Sequence, residues 1–383
     1  MIKMLCAYTE EIDEIDDAVN EILGQIDIAS LLPNSAGIVS CYREFLETGV
    51  VRALADHLPF DIIGATTLAN GTSGRAGNML LCLSVLTADD VGLSPVMSEP
   101  LSPDNFKNPI ADAYNRAIAA LGEPPRLLIP FLPLIPNVGA EAMLKELEQL
   151  SGGTPMFGMI ACDKNLGLVD SATILNGTSD HSSLAMLAIS GNIEPRFFVA
   201  AISDSKVQKQ KAIITSSEGN MLKEVNDMPL MEYFRTIGLT FGDGLEGINA
   251  IPLVVDYNDG TKPLVRAAYM VTKEGYAPCG GEMPNGGTLS IGFTDTMDIL
   301  RTAERTVNDA ISYGKNCLLL MPCLARYLEL AADPFAELER VKKSIGGKPY
   351  HMCYSGGEIC PVYGESGEAV NRFHNFTFIA CAF

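Results

Sequence analysis

The chain predicts an α/β fold of two mixed-sheet halves, with helices packed on the sheets and the halves tightly associated. Three observations carry this. Short apolar runs alternate with segments whose apolar residues recur at helical spacing. That alternation restarts from residue 229. No stretch between the two halves is rich enough in Pro, Gly or Ser to be a flexible linker. The boundary falls within 193–225, which divides the chain into domains 1–205 and 206–383.

In order, residues 2–8 read as a strand. Residues 10–28 carry Ile12, Ile15, Val19, Ile22, Leu23 and Ile26 at helical spacing, behind an acidic first turn that suits the helix dipole. A strand at 36–41, a helix at 42–57 and a strand at 61–67 follow. Asn70-Gly71-Thr72-Ser73 reads as a turn before a long strand at 78–87. A helix at 106–121, a strand at 126–132, a helix at 140–150 and a strand at 156–162 come next. Asn176-Gly177-Thr178-Ser179 then repeats the earlier four residues ahead of an apolar strand at 184–190. The repeat points either to internal duplication or to two unrelated Asn-Gly turns. A strand at 194–204 leads to a hairpin at 211–225, turning at Glu218-Gly219-Asn220. The second half reads as a helix at 230–237, strands at 251–257 and 264–272, a turn-rich segment at 275–287 and a strand at 288–293. Thr294-Asp295 caps a helix through residue 313, and a strand at 316–321 and helices from Leu324 and Asp333 follow. Three short β runs, parted by glycine turns including 364–367, fill 350–383, and the last is apolar on nearly every residue, so both its faces are expected to be covered.

Composition narrows the function. The chain has 383 residues, of which 47% are apolar and 19% charged, enough for a large core. A net charge of −20 argues against nucleic acid and anionic membranes, both of which demand a basic face. The opening apolar run is too short for a signal peptide, and the apolar stretch 127–138 is broken by Pro130, Pro133 and Pro136. A cytoplasmic protein is expected. The ten cysteines show no C-x-x-C pair and read as reduced, buried, small apolar residues. The four histidines are far apart, and no phosphate-binding loop is present, so neither a metal nor a nucleotide site is indicated.

Polar groups gather at the strand ends of the last stretch. Arg326 follows an apolar strand, at the sheet end where α/β folds hold ligands. Glu358 starts a strand after Gly356-Gly357. An arginine forks onto a carboxylate and a glutamate accepts an ammonium, so the two suit the ends of a zwitterion. The alternative is an ion pair between them, or Arg326 solvated on a helix. Strand alternation sets His374 with Phe376 on one face and Asn375 with Thr377 on the other. These can contact a ligand or satisfy turn backbone. Cys323 with His374 and Asn375 or Glu358 also supplies the residue types of a cysteine hydrolase.

Ser355-Gly356-Gly357-Glu358, followed by His374-Asn375-x-Thr377, resembles the end of the C-terminal FIST domain, part of a family of intracellular sensory modules. Leu264-Val265-Arg266 leading to Gly280-Gly281-Glu282 fits the same domain, and Cys323-Leu324-Ala325-Arg326 is similar to its strand-end Cys-x-x-Arg. Gly64-Ala65-Thr66-Thr67 resembles a strand end of the N-terminal FIST domain. The resemblance spans most of the chain. It implies binding of a small metabolite such as an amino acid, with output through a separate signalling partner or self-assembly. It places Arg326 and Glu358 on one pocket shaped by Cys323, Ser355, Gly356, Gly357, His374, Asn375 and Thr377. No cofactor is called for, although some members resemble haem-linked gas sensors, for which His374 or His181 would be the axial ligand.

Overall fold

A computed structural model describes residues 1–164, 169–239, 251–268, 270–365 and 367–383. Its strands form four sheets among the described residues. The first runs Ile2–Thr9, Leu81–Ala88, Asn34–Cys41, Asp61–Thr66, Thr173–Leu175, Thr178–Asp180. The second runs Leu93–Met97, Ala185–Ile189, Leu127–Leu132, Gly158–Ile160, Glu358–Tyr363, Ala369–His374. The third runs Arg196–Ala200, Phe378–Ala382, Leu318–Pro322, His351–Cys353, Asn70–Thr72, Ala76–Gly77.

These three sheets share one plan. Four strands, counted along the chain, lie side by side in the order first, fourth, second, third. The second and third pair in parallel each time, and a helix crosses between them as parallel pairing requires. Between its third and fourth strands each unit sends out a hairpin, which adds to a different unit's third strand. Asn70–Gly77 of the first unit pairs with His351–Cys353, Thr173–Asp180 of the second with Asp61–Thr66, and Glu358–His374 of the third with Gly158–Ile160. The exchange closes a ring of three. The duplication hinted at by the repeated Asn-Gly-Thr-Ser is therefore a triplication. The tetrapeptide does not mark it, because Asn70 starts a hairpin strand while Asn176-Gly177, both at positive φ, make a hairpin turn.

Burial explains why the units hold together. The inner faces of all three sheets meet in one core that includes Ile38, Leu86, Phe131, Leu187, Leu319 and Ile379. Each such buried side chain contributes about 1.5–3 kcal/mol. The outer faces are covered by helix pairs: Ile15–Gln25 with Val50–His57, Lys107–Leu121 with Ala140–Ser151, and Thr296–Ser312 with Ala336–Ile345. A fourth sheet, drawn from 212–291, is inserted between the first strand and first helix of the third unit and keeps its own core. The expected α/β class, with helices on mixed sheets and the halves tightly associated, is observed. Residue 205 does not divide the sheets, since the second and third take strands from both sides of it.

Most expected elements are present, and the differences have local causes. The helix expected over 10–28 is Ile15–Gln25, because the Glu11 carboxylate accepts from the backbone of Asp13 and Glu14 and holds a turn there. The helix expected over 42–57 breaks at Gly49, where φ is +89°. The turn expected at Asn70 is a strand, anchored by Asn70 Nδ2 donating to the carbonyls of Ser40 and Leu80. The expected strand 264–272 and turn 364–367 each include one residue, 269 and 366, outside the described residues. Nine of the ten cysteines are buried, and all ten are free thiols. No described helix is long and apolar enough to cross a membrane.

Candidate functional site

The third strands end close to one another, so the turns after them converge. Thr67 Oγ1 of the first unit donates to the Tyr354 carbonyl of the third at 2.8 Å, and Cys162 Sγ of the second donates to the same oxygen at 3.2 Å. Backbone bonds from Gly356 to Ile160 and from Ile160 to Gly357 complete the junction.

Glu358 lies just beyond it and is fully buried. Ser355 Oγ donates to Oε1, while Thr377 Oγ1 donates to Oε2 at 2.6 Å. The Cys323 thiol is also beside it. Burial pushes the Glu358 carboxyl up to about 8 despite these donors, so it is mostly protonated at neutral pH. A protonated Glu358 donates to Ser355 Oγ, and that hydroxyl can then turn to the Pro322 carbonyl 3.3 Å away.

The flanking residues are held in place by the fold. Ser355 bridges to Cys323 in parallel pairing, and the Cys323 amide donates to the Thr377 carbonyl at 2.8 Å. A Cβ on Gly357 would come within 2.4 Å of the Phe373 ring, so a side chain is excluded there. The expected alternation through 374–377 does not hold. The strand ends at His374, and Phe376 turns the chain at φ +62°, a left-handed conformation uncommon outside glycine. Asn375 Oδ1 is consequently buried with no hydrogen-bond partner. A Cβ on Gly280 would lie 2.4 Å from that oxygen, so the Gly280-Gly281 turn closes directly over it.

Arg326 requires a correction. It is fully buried, but it does not face Glu358. Its Nη2 and Nε donate to Glu337 Oε1 at 2.6 and 3.0 Å, and its other bonds go to Ala201, Ile299 and Thr302. The partner is set by the neighbouring helix Ala336–Ile345, which delivers Glu337 across the helix Leu324–Glu329. The Arg326–Glu358 pair, whether a ligand clamp or an ion pair, is not formed.

The cysteine-hydrolase arrangement is likewise not assembled. His374 Nε2 is 2.8 Å from the Cys360 carbonyl, and burial pulls the imidazole down to about 4, leaving it neutral. Cys323 has the Glu358 carboxyl as neighbour in place of the imidazole, and burial first, then Glu358, raise its thiol well above the usual range. His181, the other candidate axial ligand, engages the Ser171 carbonyl at 2.7 Å. No group of three metal-ligating side chains occurs among the described residues.

Sequence reasoning did not single out Arg266 as a site residue. It is buried in strand Leu264–Ala268, with Nη2 2.6 Å from Glu141 Oε1 and 2.7 Å from the Tyr257 hydroxyl, and Nη1 2.7 Å from the Phe373 carbonyl. Burial raises the Glu141 carboxyl, against the pull of Arg266. Gly281 packs on the guanidinium, so the Gly280-Gly281 turn touches both Arg266 and Asn375. The available signal was an arginine inside an otherwise apolar run.

A search of curated proteins finds no match. Among solved structures, the crystal structure of cyanuric acid hydrolase from A. caulinodans aligns over 100% of this chain and 99% of that one, at 12% identity and a TM-score of 0.37. Family models match on either side of residue 230: the FIST N domain over 35–228 and the FIST C domain over 232–361. Together they cover most of the sequence, and the chain belongs to the FIST family of small-ligand sensory domains.

Proposed function

We propose that this chain is a cytoplasmic sensor of a small amine-bearing metabolite, an amino acid or a close relative, and that the ligand docks at Glu358. The observation that carries the reading is a fully buried carboxyl whose neighbours among the described residues are hydroxyls and a thiol, with no cation among them. Such a carboxyl suits an ammonium group, which brings three donors and one charge, and Asn375 Oδ1, two residues before Thr377, is a buried acceptor without a donor. Cys323, Ser355, Gly356, Gly357 and Thr377 shape the surroundings, and His374 supports the strand end. Arg266, rather than Arg326, is the cation assigned to a ligand carboxylate, because it packs on the same Gly280-Gly281 turn as Asn375. Access runs through displacement of the Gly280-Gly281 turn. The occupied state is passed on through a separate partner protein or a second copy of the chain.

The reading has a thermodynamic signature. A carboxyl held protonated must ionise to pair with an ammonium, so binding near pH 6.5 releases about one proton per site. Calorimetric titration with a panel of amino acids, in two buffers of different ionisation enthalpy, measures that number. A ligand is expected to bind with proton release, and Glu358→Gln is expected to remove both binding and release while the protein stays folded. Binding that persists in Glu358→Gln would sink the proposal.

A further inference from the structure

A cleft of about 450 Å³ lies at the far end of strand Leu318–Pro322 from Cys323. It is within the size range of small-molecule sites, about 300–1,000 Å³. Met4, Ile311 and Leu318 give it an apolar floor, and Lys3, Lys315 and Lys348 reach it from three separate segments of the chain. No acidic side chain is among its lining residues. In a chain of net charge −20, that concentration of cations around one apolar hollow selects for an anion.

The lysines are only lightly engaged. Lys3 Nζ donates to the Ser30 carbonyl at 2.9 Å, which leaves two of its three donors. Lys315 has Glu194 at 3.4 Å, with Glu194 itself 77% exposed and therefore well screened. Lys348 makes no hydrogen bond or ion pair among the described residues. The opposing field comes from the end of helix Thr296–Ser312, where Tyr313 and Gly314 already donate to the Ala310 and Ile311 carbonyls.

We propose that this cleft binds a small organic acid, with the apolar body on the Met4–Ile311–Leu318 floor and the carboxylate among the three lysines. It is a second ligand site, separate from Glu358. Its walls come from the first strand and from the last third of the chain, so an occupant spans the first and third units.

Calorimetric titration of the full chain with octanoate, octanol and octylamine tests this. Octanoate is expected to bind at least about tenfold more tightly than octanol, and octylamine more weakly than either, because only the acid gains charge-assisted hydrogen bonds. The double variant Lys315→Glu/Lys348→Glu should lose the preference for octanoate and keep the weak binding of octanol. Both substitutions are at surface positions, and an unchanged melting temperature would confirm the fold. Glu358→Gln should leave octanoate binding intact, which separates failure here from failure of the sensor reading. The proposal is overturned if octanoate binds no better than octanol, if the double variant retains the preference, or if Glu358→Gln abolishes it.

Discussion

Arg326 and Glu337 form an ion pair with no exposure on either side, and Tyr354 holds the second carboxylate oxygen at 2.8 Å. A buried pair of this kind is costly to break from one side, because the surviving charge is left without compensation. Arg326→Ala is therefore expected to destabilise the fold by about 3–5 kcal/mol, read from the shift in urea midpoint. An unchanged midpoint would mean that Glu337 finds another partner or sheds its charge. Glu358 is a different case, since its neighbours are hydroxyls and a thiol rather than a cation. A carboxyl placed there is held neutral by burial instead of being held ionised by a cation.

At the scale of elements, the Gly280-Gly281 turn matters most. It lies within the inserted fourth sheet, between its strands Ala277–Pro278 and Thr288–Ile291, and it touches Asn375 and Arg266 of two polar clusters. A methyl at Gly280 would stand 2.4–2.7 Å from the Asn375 amide atoms, so the amide must move. Gly280→Ala is expected to cost about 1–3 kcal/mol by overpacking, measured by thermal or urea unfolding. A neutral result would show that the turn is already loose over the site. The hairpins are the other elements that shape the site. Glu358 begins one, and pairing with Gly158–Ile160 of the second unit brings it to the junction.

For the molecule as a whole, stability should vary with pH in two opposed directions. Glu358 is raised from 4.5 to about 8 in the folded chain. Its contribution is complete below pH 4.5 and is lost as pH rises towards 8, with a slope of at most about 1.4 kcal/mol per pH unit. His351 and His374 are both pulled by burial from 6.5 to about 4, so their contribution is complete above 6.5 and is lost as pH falls towards 4. Between pH 6.5 and 8 the Glu358 effect acts without the histidines. Urea unfolding across that window should show falling stability in the parent chain and a flatter profile in Glu358→Gln. Equal slopes would place the Glu358 carboxyl in its ordinary range.

The sequence by itself determined the α/β class, because helical and strand periodicities are local properties of the chain. It located the capped helix from Thr296, the hairpin at Glu218-Gly219-Asn220 and the buried last strand. It also brought Ser355, Glu358, Asn375, Thr377 and Cys323 into consideration together, through motif resemblance rather than geometry. Only the tertiary structure decided which of them meet. Arg326 takes Glu337, and Arg266 takes Glu141 from 125 residues away, because neighbouring helices in the folded chain bring those carboxylates within hydrogen-bond distance. The threefold plan was hidden for a related reason. Its signature is hairpins exchanged between units, and pairing between distant strands leaves no periodic trace in either partner.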